Sequence, residues 1–254
     1  MADNNVKKPK KIVKKIFLSA VAILFFWLVY FPKPYFTNSI QEAREEFKEP
    51  VNCKTGVNKM ETTNWLSEDE GKDLLKVARE TIKSKLFTSE EPRIDWENMP
   101  DIYKHELGTF VTITIKDNLR GCIGHIIPRE TLIEGIMENA VNAAFRDPRF
   151  SPLTKEEFEK IEIEVSVLTR PKELSYADAE DLLKKLRQEV DGVIIKKGFH
   201  EATFLPQVWE QLPDKEEFLM HLCLKAGLFP KAWQTEKLQV STYQVQAFQE
   251  EESK

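Results

Sequence analysis

Cysteine is scarce in this chain. Its 254 residues include three, Cys53, Cys122 and Cys223. That is an odd number with no metal-type spacing, so neither a disulfide framework nor a zinc site is signalled. Four histidines, His105, His125, His200 and His221, show no ligand spacing among themselves or with carboxylates, and no metal is expected. A Walker phosphate loop is absent. Gly121-Cys122-Ile123-Gly124 lacks the spacing of a dinucleotide fingerprint, so no nucleotide cofactor is expected either. The carboxylates are scattered over predicted helix surfaces, which gives no support to paired acid–base chemistry. Repeats and low-complexity tracts are missing. Residues 1–15 hold six Lys and one Asp, a net of +5, which leaves −10 for the remainder of a chain whose formal charge is −5. An acidic domain is a poor match for nucleic acid, where phosphate contact supplies most of the affinity.

With 41% hydrophobic and 31% charged residues, the rest reads as one globular domain of about 180 residues. A single long apolar run stands out. Residues 16–31 carry no charge and follow Lys7, Lys8, Lys10, Lys11, Lys14 and Lys15. As a helix that run spans roughly 24 Å against a ~30 Å hydrocarbon layer. Ile12 and Val13, snorkelling lysines, and Trp27, Tyr30, Tyr35 and Phe36 in the far headgroups bridge the difference. The bulky Phe31-Pro32-Lys33-Pro34 lacks a small-x-small site, which favours an uncleaved signal anchor over a cleaved leader. The expected organisation is a basic cytoplasmic arm (1–15), a transmembrane helix (16–36), a tether (37–66), the domain (67–248) and a tail (249–254). The lysine excess predicts a cytoplasmic N-terminus and a domain on the extracytoplasmic side.

Within the domain, Ser67-Glu68-Asp69-Glu70 reads as a capping box before an apolar stripe at Leu74, Leu75, Ala78 and Ile82. Residues 91–105 read as a loop. Thr109–Ile115, the turn Lys116-Asp117-Asn118 and Leu119–His125 form a predicted hairpin. A helix over 131–145 follows directly, then a short helix from Thr154 and a strand alternating at Ile161, Ile163, Val165 and Val167. A helix from Ser175 to near Arg187, strands over 192–197 and 201–205, a helix over 214–226 stopped by Gly227, and a closing strand over 238–248 complete the pattern. Helix and strand alternate without βαβ regularity, which predicts α+β with mixed layers.

Leu119-Arg120-Gly121-Cys122-Ile123-Gly124-His125 carries the densest chemistry. Cys122 is the nucleophile candidate; Arg120, two residues away on a strand, is expected on the same face, where its charge favours the thiolate. His125 is expected on the opposite face, and serves as a proton-transfer group only if Gly124 bends the chain. Packing is the competing reading, because cysteine is among the most buried residue types. The residues leave both open, and with them the question of an enzyme. Arg146, Asp147 and Arg149 sit after an apolar helix, either as an anion clamp or as a salt-bridged loop. Gln207 offers a polar contact to a ligand, whereas Trp209 beside it reads more as core.

Five segments together resemble the AMMECR-one domain family, most closely its bacterial members called AmmeMemoRadiSam system protein A. They are the Cys122 stretch; Ala143-Ala144-Phe145-Arg146-Asp147-Pro148-Arg149-Phe150-Ser151-Pro152-Leu153; Ile163–Leu168; Asp191–Ile195; and Ala202–Trp209. The resemblance implies two closely packed subdomains with a cleft between them, and partnership with a Memo-like protein and a radical SAM protein. It implies a small molecule or modified side chain bound around Cys122, with thiol-based catalysis one form of that role. The alternative is a non-catalytic adaptor for those partner proteins.

Overall fold

In the computed structural model, residues 65–88 and 99–250 are described; the expected arm and anchor, and the tether up to residue 64 with Cys53, lie outside them, whereas the last two tether residues, Trp65 and Leu66, join the domain by donating their N–H groups to Gln246 Oε1. No helix among the described residues is long and apolar enough to cross a membrane. The chain builds two four-stranded antiparallel sheets, each with its own helices. The α+β expectation is therefore met.

Helix α1 (Glu68–Phe87) begins as the capping box predicts: the Glu70 N–H donates to Ser67 Oγ and the Ser67 N–H donates to the Glu70 carboxylate. Strands β1 (Gly108–Ile115) and β2 (Asn118–His125) form the hairpin, and α2 (Leu132–Phe145) follows behind a second capping box, Thr131 with Glu134. A short α3 (Lys155–Phe158) precedes β3 (Ile161–Leu168). The first sheet has the order β2-β1-β3 with the last strand, β8 (Val245–Gln249), beyond β3. One face holds Val111, Ile113, Ile163 and Val165, which pack with Leu74, Ala78 and Ile82 of α1 and Ile136 and Ala140 of α2. Period-2 strands and period-3.6 helices thus meet on matched apolar surfaces.

The second sheet joins β4 (Lys172–Glu173), β7 (Gln239–Tyr243), β5 (Gly192–Lys197) and β6 (His200–Phe204), in that order. Around it lie α4 (Ala179–Lys185), a 3-10 turn (Pro206–Glu210), α5 (Lys215–Lys225) and α6 (Ala232–Thr235). Its core is aromatic: Trp209 stacks on Phe218 at 3.6 Å, and Phe204 meets Phe218 edge-on. The helix predicted from Ser175 starts later, because the Asp178 side chain caps it by accepting the Asp181 N–H.

The predicted closing strand over 238–248 is two strands. It leaves one sheet and enters the other at Gln244, beside the point where β3 hands over to β4. There the Thr169 N–H donates to the Gln244 carbonyl at 3.0 Å, and the Gln244 N–H to Thr169 Oγ1 at 2.9 Å. Ile126, Leu168 and Tyr243, with half-buried Phe110, Ile194, Leu205 and Val245, fill the junction between the sheets. Sequence periodicity does not mark such a crossing, because both halves alternate alike.

Candidate functional site

The Cys122 stretch is the outer strand of the first sheet, and its shape is set by two local devices. Lys116 and Asp117 both take positive φ, 51° and 63°, the left-handed pair that a two-residue hairpin turn needs. The register then slips: Ile113 pairs with Gly121 and Thr114 with Leu119, so Arg120 is the extra residue of a β-bulge. A bulge breaks the simple alternation that predicted Arg120 on the face of Cys122. The Arg120 guanidinium turns instead to Glu157, donating through Nε and Nη2 at 2.9 Å each, and to the Ser151 carbonyl. That hydrogen bonding holds Glu157 below the usual carboxylate range despite some burial.

Beyond the bulge the strand is regular. A Cβ on Gly121 would lie 2.1 Å from the Ala143 carbonyl of α2, and one on Gly124 would lie 2.3 Å from the Phe110 ring. The glycines therefore let the helix backbone approach one face of β2 and an aromatic ring cover the other. They do not interrupt the strand: pairing with β1 runs unbroken from Gly121 to His125.

Cys122 is 8% exposed, facing away from the helices, and Thr112 Oγ1 donates to its sulfur at 3.3 Å. Burial pushes the thiol up to about 11; the Thr112 hydroxyl and the Arg149 charge pull it back only in part. The predicted pKa lowering by Arg120 is not found. A group with that pKa holds almost no thiolate near neutrality. His125 continues the regular strand opposite Thr109 and lies on the helix face, away from Cys122. It is not brought to the thiol. Its Nδ1 accepts from Asn139 Nδ2 at 3.5 Å, and its Nε2 approaches Glu130 at 3.0 Å without hydrogen-bond alignment. Burial, assisted by Arg129, lowers the His125 pKa, and burial raises that of Glu130.

The predicted arginine–aspartate clamp is occupied by its own strand. The Asp147 carboxylate, 1% exposed, accepts from the Cys122 N–H at 2.9 Å, from the Arg149 N–H at 3.1 Å and from the Arg149 guanidinium at 2.6 and 2.9 Å. Arg149 Nη2 also donates to the Cys122 carbonyl at 3.0 Å. Burial opposes the Asp147 charge, yet the guanidinium and the two backbone N–H groups outweigh it and hold the carboxyl below its ordinary range. Side chains thus satisfy the outward N–H and C=O of an edge strand, which otherwise invites another chain to pair. Arg146 stays apart as the C-cap of α2, bonded to Asn142 Oδ1 at 3.3 Å.

Gln207 sits on the 3-10 turn after Leu205, with Oε1 buried and unbonded to protein. Trp209 is core: 1% exposed, its Nε1 donating to the Asp191 carbonyl at 2.8 Å.

Other groups share the face with Cys122. Thr112 pairs with Cys122 on one side and Glu164 on the other, and Ser166 follows two residues along β3. Thr112 is 4% and Ser166 8% exposed. Ser166 Oγ donates to Glu164 Oε1 at 3.4 Å, while burial raises the Glu164 pKa. This polar row was missed by sequence reasoning, which took that strand as having one buried face. The Glu162, Glu164, Ser166 alternation was the available signal, but nothing local shows that the second face is covered.

Comparison with known proteins places this architecture. A profile of the family described as AMMECR1 matches residues 75–248. The chain belongs to the AMMECR1 family. A protein of Methanothermobacter thermautotrophicus is 41% identical over 187 residues, covering 73% of this chain and 97% of that one. A protein of Methanocaldococcus jannaschii is 40% identical over 190 residues, covering 74% and 93%. The crystal structure of an uncharacterized protein of Pyrococcus horikoshii superposes with TM-score 0.63 at 34% identity, covering 73% of this chain and 94% of the other. These relatives are archaeal, whereas the sequence resemblance pointed to bacterial members.

Proposed function

We propose that this AMMECR1 domain binds a small molecule or modified side chain at the junction of its two sheets, without using Cys122 as a nucleophile. The observation that carries the reading is the row Cys122–Thr112–Glu164 with Ser166, placed on a sheet face where apolar residues would pack at lower cost. Burial favours the neutral forms of the thiol and the carboxyl. The row therefore suits a ligand rich in acceptor oxygens, such as a carbonyl or carboxylic acid, with the half-buried Phe110, Ile194, Leu205 and Val245 offering apolar walls. The test is native mass spectrometry of the protein against a panel of small carbonyl and carboxylic compounds. Retained adducts in the wild type that vanish in Glu164→Gln with Ser166→Ala support it; no adduct, or equal adducts in the variant, ends it.

The adaptor reading has its own support: Arg120, Asp147 and Arg149 are engaged internally, as a structural element would be. In that reading the domain presents a surface to Memo-like and radical SAM partners, a membership that sequence resemblance to the bacterial system proteins suggests. An anchor at 16–36, with the domain outside, belongs to the same proposal and rests on the uncharged run and its lysines. Co-purification of partners with Glu164→Gln with Ser166→Ala, with cellular activity intact, favours the adaptor.

A further inference from the structure

The row beside Cys122 is nearly shut from solvent: Thr112 is 4%, and Cys122 and Ser166 are each 8% exposed. Its face turns toward the second sheet. Phe110, two residues from Thr112 and so on the same face of β1, packs in the junction with Ile194 and Leu205. Thr203 and Ser241, the cross-strand partners of Ile194, share the face of the second sheet that meets it. Parting the two sheets would open the row.

The path of the chain permits this. The second sheet and its helices form a lobe inserted between β3 and β8, so the backbone passes from lobe to lobe twice, at Thr169 and at Gln244. The two crossings lie side by side, joined by the hydrogen bonds from the Thr169 N–H to the Gln244 carbonyl and from the Gln244 N–H to Thr169 Oγ1. This line is fastened to both lobes. Gln244 Nε2 donates to Asp191 Oδ1 at 3.1 Å in the second, and the Arg170 guanidinium donates to Glu106 in the first. Leu168, Tyr243 and Val245 adjoin the crossing residues, which puts apolar contact at the axis itself. Each lobe keeps a core of its own, and ion pairs such as Arg149–Asp147 and Lys196–Glu201 close within one lobe. Rotation about the line therefore breaks neither core. Small contacts between units of one chain leave relative motion as the default, and a few residues at element ends serve as hinges.

We infer that the two lobes open and close about the Thr169–Gln244 line, and that the open form admits ligand to the Cys122 row. The admission of ligand rests on the binding reading above; the motion itself does not. Lys116, in the turn beyond the far end of β1, stands roughly 26 Å from the crossing at about 3.3 Å per residue. A rotation of about 15° carries it roughly 7 Å.

Double electron–electron resonance of the full chain tests this, with nitroxides on ketone-bearing unnatural residues in place of Lys116 and Phe199. Both positions are exposed, each beyond the end of its sheet remote from the crossing. Control pairs stay within one lobe: Lys76 with Lys116, and Phe199 with Glu216. The pair between lobes is expected to show a second population several ångströms longer than the first, while both control pairs stay narrow. Ile194→Ser removes one half-buried apolar contact from the junction. It should enlarge the longer population and leave the controls unchanged, which shows that each lobe is folded. A single narrow distance between the lobes overturns the hinge. So does a longer population that Ile194→Ser leaves unaltered, since its origin would then lie outside the junction. No ligand enters this measurement, so a rigid result is distinct from a failure to bind.

Discussion

Removing the Asp147 carboxylate is the sharpest perturbation of the site. Asp147→Ala leaves the buried Cys122 N–H without an acceptor and strips Arg149, 18% exposed, of its anionic partner. Breaking a buried pair from one side costs about 3–5 kcal/mol, of which an unsatisfied N–H accounts for about 1–3 kcal/mol. Arg149 keeps the Cys122 carbonyl and some water, so the lower part of that range, about 3 kcal/mol, is expected. For a protein of this size that lowers Tm by roughly 6–12 °C. The assay is urea and thermal unfolding of wild type, Asp147→Ala, Arg149→Ala and the double variant, where the double loses less than the sum of the singles. Acid adds a check. Since the folded-state pKa of Asp147 is depressed, its contribution is full above the ordinary aspartate value of ~3.9 and is lost as pH falls through the depressed value. The gap between wild type and Asp147→Ala must close in that window. A loss under about 1 kcal/mol, or single variants that simply add, would refute the claim that this pair completes the edge of β2.

Iodoacetamide should leave Cys122 unlabelled near neutral pH in folded protein and modify it quickly once denatured, because burial holds the thiol at about 11; fast labelling at neutral pH with a low apparent pKa would restore the nucleophile. Gly121→Ala puts a methyl 2.1 Å from the Ala143 carbonyl and should destabilise by about 1–3 kcal/mol through displacement of α2, measured by urea unfolding. Trp209→Ala removes a stacked, 1% exposed ring and should cost about 3–5 kcal/mol, while Trp209→Phe loses mainly the hydrogen bond to the Asp191 carbonyl. In an NMR titration the His125 imidazole should protonate below the ordinary histidine value of ~6.5. Burial lowers its pKa, so its neutral form supports the fold above that value and stability falls as pH drops below it.

Much of the fold was legible residue by residue. Capping boxes at Ser67 and Thr131 announced α1 and α2, and the hairpin ahead of α2 followed from alternating strands around a polar turn. The site was legible only as a list of groups. Cys122, Asp147 and Arg149 do meet, but as an edge-strand closure; Arg120 and His125 go elsewhere, one through a bulge and the other through strict alternation.

Local chemistry within a turn or two of the chain fixed where helices start, which strand face is apolar, and that a thiol lies between two glycines. Those properties depend on neighbours a few residues apart, so sequence alone determined them. Contacts across tens of residues decided the rest: that 238–248 is shared between two sheets at Gln244, that the second face of the first sheet is covered, and that burial leaves Cys122 protonated. A pKa follows from the dielectric and the charges around a group, and these exist only once distant segments have packed against it.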